Sequence, residues 1–143
     1  MNGVPVTILL IEDDPGHARL IEKNVRRAGV SNQIVHFLDG TSALGHIFGG
    51  REPAGHAPLL VLLDLNLPDM TGLDILARIK SDEHLKRTPV IVLTTTDDRV
   101  EIQKCYDLGC NVYITKPVDY EGFATAIRQL GLFLSVMQVP EPT

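Results

Sequence analysis

Five short apolar runs recur along the chain, and a stretch with helical spacing follows each. They are "VTILLI" (6–11), "QIVHFL" (33–38), "LLVLLD" (59–64), "PVIVLT" (89–94) and "NVYIT" (111–115). Continuous runs of this length and β-branched content mark strands buried on both faces, the condition of a parallel sheet sandwiched by helices. Asp14 as N-cap and Pro15 at the first helical position open one helix; Leu20, Ile21 and Val25 give its stripe, and Gly29 stops it. A Ser/Thr start opens a second helix at 41–48, a third runs from about Gly72 to Lys80, and a fourth covers 98–108 before Gly109. A fifth is expected over 119–137. Alternating strands and helices with right-handed crossovers predict a doubly wound α/β fold, a five-stranded parallel sheet with helices on both faces. The 143 residues suffice for one such domain over 1–143, and no repeat or linker divides them. Two connections stand apart: the Gly/Pro-rich "GGREPAGHAP" (49–58), which is long for such a joint, and the polar "SDEHLKRT".

Charge and cysteine content remove several classes of function. A net charge of −5 disfavours nucleic acid as the partner, because phosphate binding needs a basic face. Cys105 and Cys110 lie five apart without further cysteines, so neither a disulfide framework nor a zinc site is indicated. No apolar stretch approaches the roughly 20 residues of a membrane span. The N-terminal "MNGVPVTILLIEDD" lacks the basic region of a signal peptide. A cytoplasmic location is expected.

The strand ends carry the chemistry. Glu12, Asp13 and Asp14 follow the first strand, Asp64 ends the third, Thr94 ends the fourth and Lys116 follows the fifth. In a parallel sheet these ends share one edge, so the residues converge on one crevice. Several carboxylates there repel one another and call for a cation. Hard oxygen ligands suit Mg²⁺, with Mn²⁺ as the alternative, completed by water or phosphate oxygens. A hydroxyl and an ammonium facing those carboxylates suit a phosphoryl group, and a carboxylate is an established phosphoryl nucleophile. Asp64 is the candidate acceptor, because it ends the strand expected to be most deeply buried. Taken singly, Asp14 reads as a helix cap, Thr94 as a strand-end residue and Tyr113 as a half-buried strand aromatic. Of the five histidines only His17 lies near the crevice.

"LLIEDDP", "LLDLNLPDMTGLD", "PVIVLTTTDD" and "VYITKPVD", in that order, resemble the receiver domain of two-component response regulators, a flavodoxin-like fold, over about 6–134. The resemblance implies that Asp64 accepts a phosphoryl group from a sensor histidine kinase. It implies that Asp13 binds the metal directly, Glu12 through water and Asn66 through its backbone carbonyl. Thr94 and Lys116 would contact the phosphoryl oxygens, and Tyr113 would be the switch aromatic. A Lys116–Pro117 peptide in the cis form would aim the ammonium inward. The long 49–58 connection and the lack of an output domain resemble single-domain regulators paired with bacterial phytochromes. Two departures from the family pattern stand out: Glu12 in place of the more frequent Asp, and Thr95 where a smaller residue is common, which is expected to narrow access to Asp64.

The implied function is a phosphorylation-dependent signalling switch, not an enzyme. Two alternatives differ in class. One is a pseudo-receiver that works as a constitutive interaction module. The other is an aspartyl-nucleophile phosphatase of the haloacid-dehalogenase type, which would need a second acid where this chain has Asn66. The apolar "LGLFLSVMQV" in the C-terminal extension at about 129–140 implies a homodimer through that helix.

Overall fold

The computed structural model describes residues 6–49 and 58–116, together with Glu121, Gly122, Thr125 and Arg128, which are helical. Strands β1 (Thr7–Ile11), β2 (Ile34–Phe37), β3 (Leu59–Leu63), β4 (Val90–Thr94) and β5 (Val112–Thr115) alternate with helices α1 (Pro15–Arg27), α2 (Gly40–Phe48), α3 (Gly72–Ser81) and α4 (Arg99–Asp107). All strand pairs are parallel, in the order β2-β1-β3-β4-β5. The expected strands and four of the expected helices are present, with ends shifted by a residue or two. The remainder of the 119–137 helix, the 50–57 part of the long connection and Pro117 lie outside the described residues.

Period-two alternation divides the sheet's side chains between two cores. Ile8, Leu10, Leu60, Leu62, Ile91 and Leu93 pack with Ala18, Leu20, Ile21 and Val25 of α1. Leu9, Ile11, Val61, Leu63, Val90 and Val92 face the other way, against Ala43 and Ile47 of α2, Ile75, Leu76 and Ile79 of α3, and Cys105 of α4. Helices therefore cover both faces. The most deeply buried strand is β4, with all five residues buried, rather than β3, whose first residue is half-buried. Its central place between β1 and β4 is what holds β3 firmly.

Local chemistry sets the helix ends. Asp14 caps α1, its carboxylate accepting from the N–H groups of Gly16 and His17, with Pro15 at the first position as expected. α2 is capped by Asp39, which accepts from Ser42 N–H at 2.7 Å, and not by the Ser/Thr pair; those residues lie inside its first turn. α1 and α4 stop at Gly29 (φ 93°) and Gly109 (φ 103°), left-handed positions where a side chain would be strained. The polar joint after α3 is organised by Asp82, whose carboxylate accepts from His84 and Leu85 N–H while Leu85 turns into the core.

Candidate functional site

The carboxyl ends of β1, β3, β4 and β5 bring Glu12, Asp64, Thr94 and Lys116 together, all four buried, with Asp13 exposed at the mouth. Asp64 does not cap the next helix. Thr71 fills that role for α3 by accepting from Asp74 N–H, so the charge at the end of an apolar strand has another purpose. Asp14, not Asp13, caps α1, which leaves the Asp13 carboxylate to the crevice.

Lys116 spans the site. Its Nζ donates to Glu12 Oε1 at 2.5 Å and to Asp64 Oδ2 at 3.1 Å, and lies 3.4 Å from His17 Nδ1. The backbone fixes this placement, since Lys116 N–H donates to the Thr94 carbonyl at 2.7 Å. The other Asp64 oxygen, Oδ1, accepts from Asn66 N–H at 3.0 Å. Asn66 Nδ2 in turn donates to Thr94 Oγ1 at 3.3 Å, linking the loop after β3 to the end of β4. Tyr113 is half-buried on β5, and its hydroxyl donates to the Thr96 carbonyl at 2.5 Å, two residues beyond Thr94. Burial pushes the Tyr113 phenol up to about 12. Thr95 is exposed beside the site.

One carboxylate oxygen each from Glu12, Asp13 and Asp64 lies within 4.8 Å of the others. Burial pushes the Glu12 carboxyl up to about 7 even though Lys116 beside it works in the opposite direction. Three carboxylates against one ammonium leave a formal excess of two negative charges when all are ionised, the charge of one divalent cation. The donors are hard oxygens, two buried and held by hydrogen bonds, one open to solvent where water and a phosphoryl oxygen can complete the shell. These residues fit Mg²⁺ or Mn²⁺ in donor type and in charge.

Glu12, Asp13, Asp64, Asn66, Thr94 and Lys116 are therefore brought together at this edge. Tyr113, by contrast, lies opposite Val92 on the β4–β5 ladder and reaches toward the edge only through its hydroxyl. Sequence reasoning did not anticipate His36, whose ring Nε2 is 2.8 Å from the Glu12 carbonyl oxygen. Strand alternation was its only signal. Nor did it anticipate Asp69, which bonds the first turn of α2 and looked like ordinary turn chemistry in "LPDMTG".

A parallel α/β sheet with an acidic triad, a hydroxyl and an ammonium at one crevice is the architecture of a response-regulator receiver. A family model described as the response regulator receiver domain matches residues 8–128, and the chain belongs to that family, whose members accept phosphoryl groups and bind a divalent metal in an acidic pocket. A crystal structure of a response regulator receiver domain from Rhodospirillum rubrum is 69% identical, with a TM-score of 0.91, covering 95% of this chain and 98% of that one. The phosphorylated cyanobacterial phytochrome response regulator RcpA is 36% identical with a TM-score of 0.85, covering 97% and 100%. The response regulator Rcp1 of Synechocystis sp. is 36% identical over 113 residues, 78% of this chain and 77% of that one. A crystal structure of the Mn²⁺-bound form of a response regulator Rcp1 is 31% identical, with a TM-score of 0.85 over 95% of this chain and 99% of that one. The chain is thus close to phytochrome response regulators. No helix among the described residues is long and apolar enough to cross a membrane.

Proposed function

We propose that the chain is one receiver unit that takes a phosphoryl group from a sensor histidine kinase onto Asp64, and that partner association is its output. The observation that carries this reading is Lys116 Nζ held between Asp64 and Glu12 in a buried crevice, with the Asp13 carboxylate beside it. An Asp64 oxygen attacks phosphorus, the P–N bond to the donor histidine breaks, and the imidazole leaves with the electron pair and takes up a proton. Asp13 and Asp64 would hold Mg²⁺ directly, with Glu12 through water and the Asn66 carbonyl as further ligands. The ion would supply charge neutralisation at the transferring oxygens. Lys116 then follows charge from the carboxylate to the phosphoryl group as a mobile ammonium, and the Thr94 hydroxyl turns from Asn66 to a phosphoryl oxygen.

Similarity to the phytochrome response regulator RcpA supports a phytochrome kinase as donor, and the apolar C-terminal sequence supports a homodimer as the associating species. Intact mass after incubation with acetyl phosphate tests acceptance. One added phosphoryl group is expected with Mg²⁺, and none in EDTA or in Asp64→Asn. Full labelling of Asp64→Asn would remove Asp64 as acceptor, and an unlabelled wild type would return the chain to the pseudo-receiver class.

A further inference from the structure

The loop after Asp64 is tied by hydrogen bonds from one of its side chains to a helix distant in the sequence. Within the loop, Gly72 N–H donates to the Leu65 carbonyl at 2.9 Å, and Asn66 pairs with Thr71 in an isolated antiparallel bridge. These ties are local. Asp69 reaches further: its Oδ1 accepts from Gly40 N–H at 2.9 Å and its Oδ2 from Thr41 N–H at 2.8 Å, with the Thr41 hydroxyl donating to the same oxygen. Next to it, Met70 packs so closely on α2 that a Cβ at Gly40 would lie 2.5 Å from Met70 Cγ. α2 already has its own cap in Asp39, so the second carboxylate is not needed to start the helix.

We infer that Asp69 is a positioning residue for the metal site. By fastening the outer end of the loop to the first turn of α2, it fixes the backbone of Asn66, the expected carbonyl ligand, relative to Asp13 and Asp64. This rests on the metal-binding reading above. A carboxylate suits the task because its two oxygens engage two successive N–H groups at a helix end that favours negative charge. An amide offers a single acceptor oxygen there, and alanine none.

Mn²⁺ titration of the full chain by electron paramagnetic resonance, without a phosphodonor, tests the inference, with the thermal midpoint recorded in parallel. Asp69→Ala is expected to weaken Mn²⁺ by about tenfold, the low end for partners that orient metal ligands. Asp69→Asn should fall between it and wild type. Asp39→Ala removes a carboxylate from the same helix end without touching the loop; its midpoint should drop while its Mn²⁺ affinity stays that of wild type. Wild-type affinity in Asp69→Ala, or an equal loss in Asp39→Ala, overturns the inference. If Asp69→Ala does not fold, Asp69→Asn decides it, and wild-type affinity in that variant is the contrary result. A wild-type chain that binds no Mn²⁺ overturns the metal reading instead, which separates the two failures.

Discussion

A methyl group at position 72 would lie 2.5 Å from the Asp64 carbonyl oxygen and 2.8 Å from the Leu65 Cα, both backbone atoms of the segment that carries the acceptor. Neither can swing aside as a flexible side chain would. Gly72→Ala is expected to cost about 1–3 kcal/mol, the range for forcing extra volume into a packed site. It should appear as a lower urea midpoint at unchanged slope; an unchanged midpoint would mean that the loop yields freely. Asp69 makes a prediction in pH. Hydrogen bonds from the Thr41 hydroxyl first, then from Gly40 and Thr41 N–H, hold its carboxyl down at about 2. A depressed folded value contributes stability that is fully present above the ordinary 3.8 and is lost as the pH falls through about 2. The gap in thermal midpoint between wild type and Asp69→Asn should therefore be larger at pH 5 than at pH 3. A gap of constant size would show that the carboxylate does not titrate against its α2 partners.

Between elements, the route of interest runs from the loop after β3 across the end of β4 to β5. Asn66 donates to the Thr94 hydroxyl, Thr94 pairs with Thr115 across the β4–β5 ladder, and Tyr113 reaches back to Thr96 just past β4. A phosphoryl group that draws the Thr94 hydroxyl away from Asn66 would act at the start of this route, which is the coupling proposed for Thr94 and Tyr113. Thr94→Ala is expected to accept phosphate on Asp64, yet to lose any phosphate-dependent change in association. A wild-type response from Thr94→Ala would place the coupling elsewhere. At this scale the sequence was readable wherever the signal was local. Apolar runs marked the strands, and Asp14-Pro15 and Gly29 marked the ends of α1, because caps and periodicity act within a few residues. It was less readable where partners are far apart in the chain. The Thr41–Asp69 and Glu12–His36 contacts join segments that no short-range pattern connects. The start of α2 was misplaced because Thr41 and Ser42 are good caps in isolation, while Asp39 lies where the chain is still extended. The crevice itself was legible from the sheet rule alone, which sends every strand's carboxyl end to one edge.

For the whole molecule, the open question is what covers the apolar C-terminal sequence. Asp119, Glu121 and Arg128 punctuate the chain with charge, but from Gln129 to Val139 "QLGLFLSVMQV" carries none. If this stretch continues as a helix, Leu132, Phe133, Leu134, Val136 and Met137 are distributed around its circumference, since consecutive residues lie about 100° apart. One side of a surface helix can be buried by its own domain, and the other side needs a different cover. Apolar patches beyond a few hundred square ångströms are rare on monomers. A second copy of the chain is the simplest cover, because two-fold dimers are the commonest assemblies and place the same patch on both sides of the contact. The described surface adds Val100 and Tyr106 on α4, both exposed, on the element beside β5. The full chain is expected to run as a dimer in light scattering at micromolar concentration, and a version ending at Leu130 as a monomer. The truncated chain must keep its far-ultraviolet circular dichroism and its Mn²⁺ affinity, so that loss of mass reflects a lost interface and not a lost fold. A full-length chain that stays monomeric with and without acetyl phosphate would mean that the apolar segment folds back on its own domain or is kept for a different protein, and the dimer would be withdrawn.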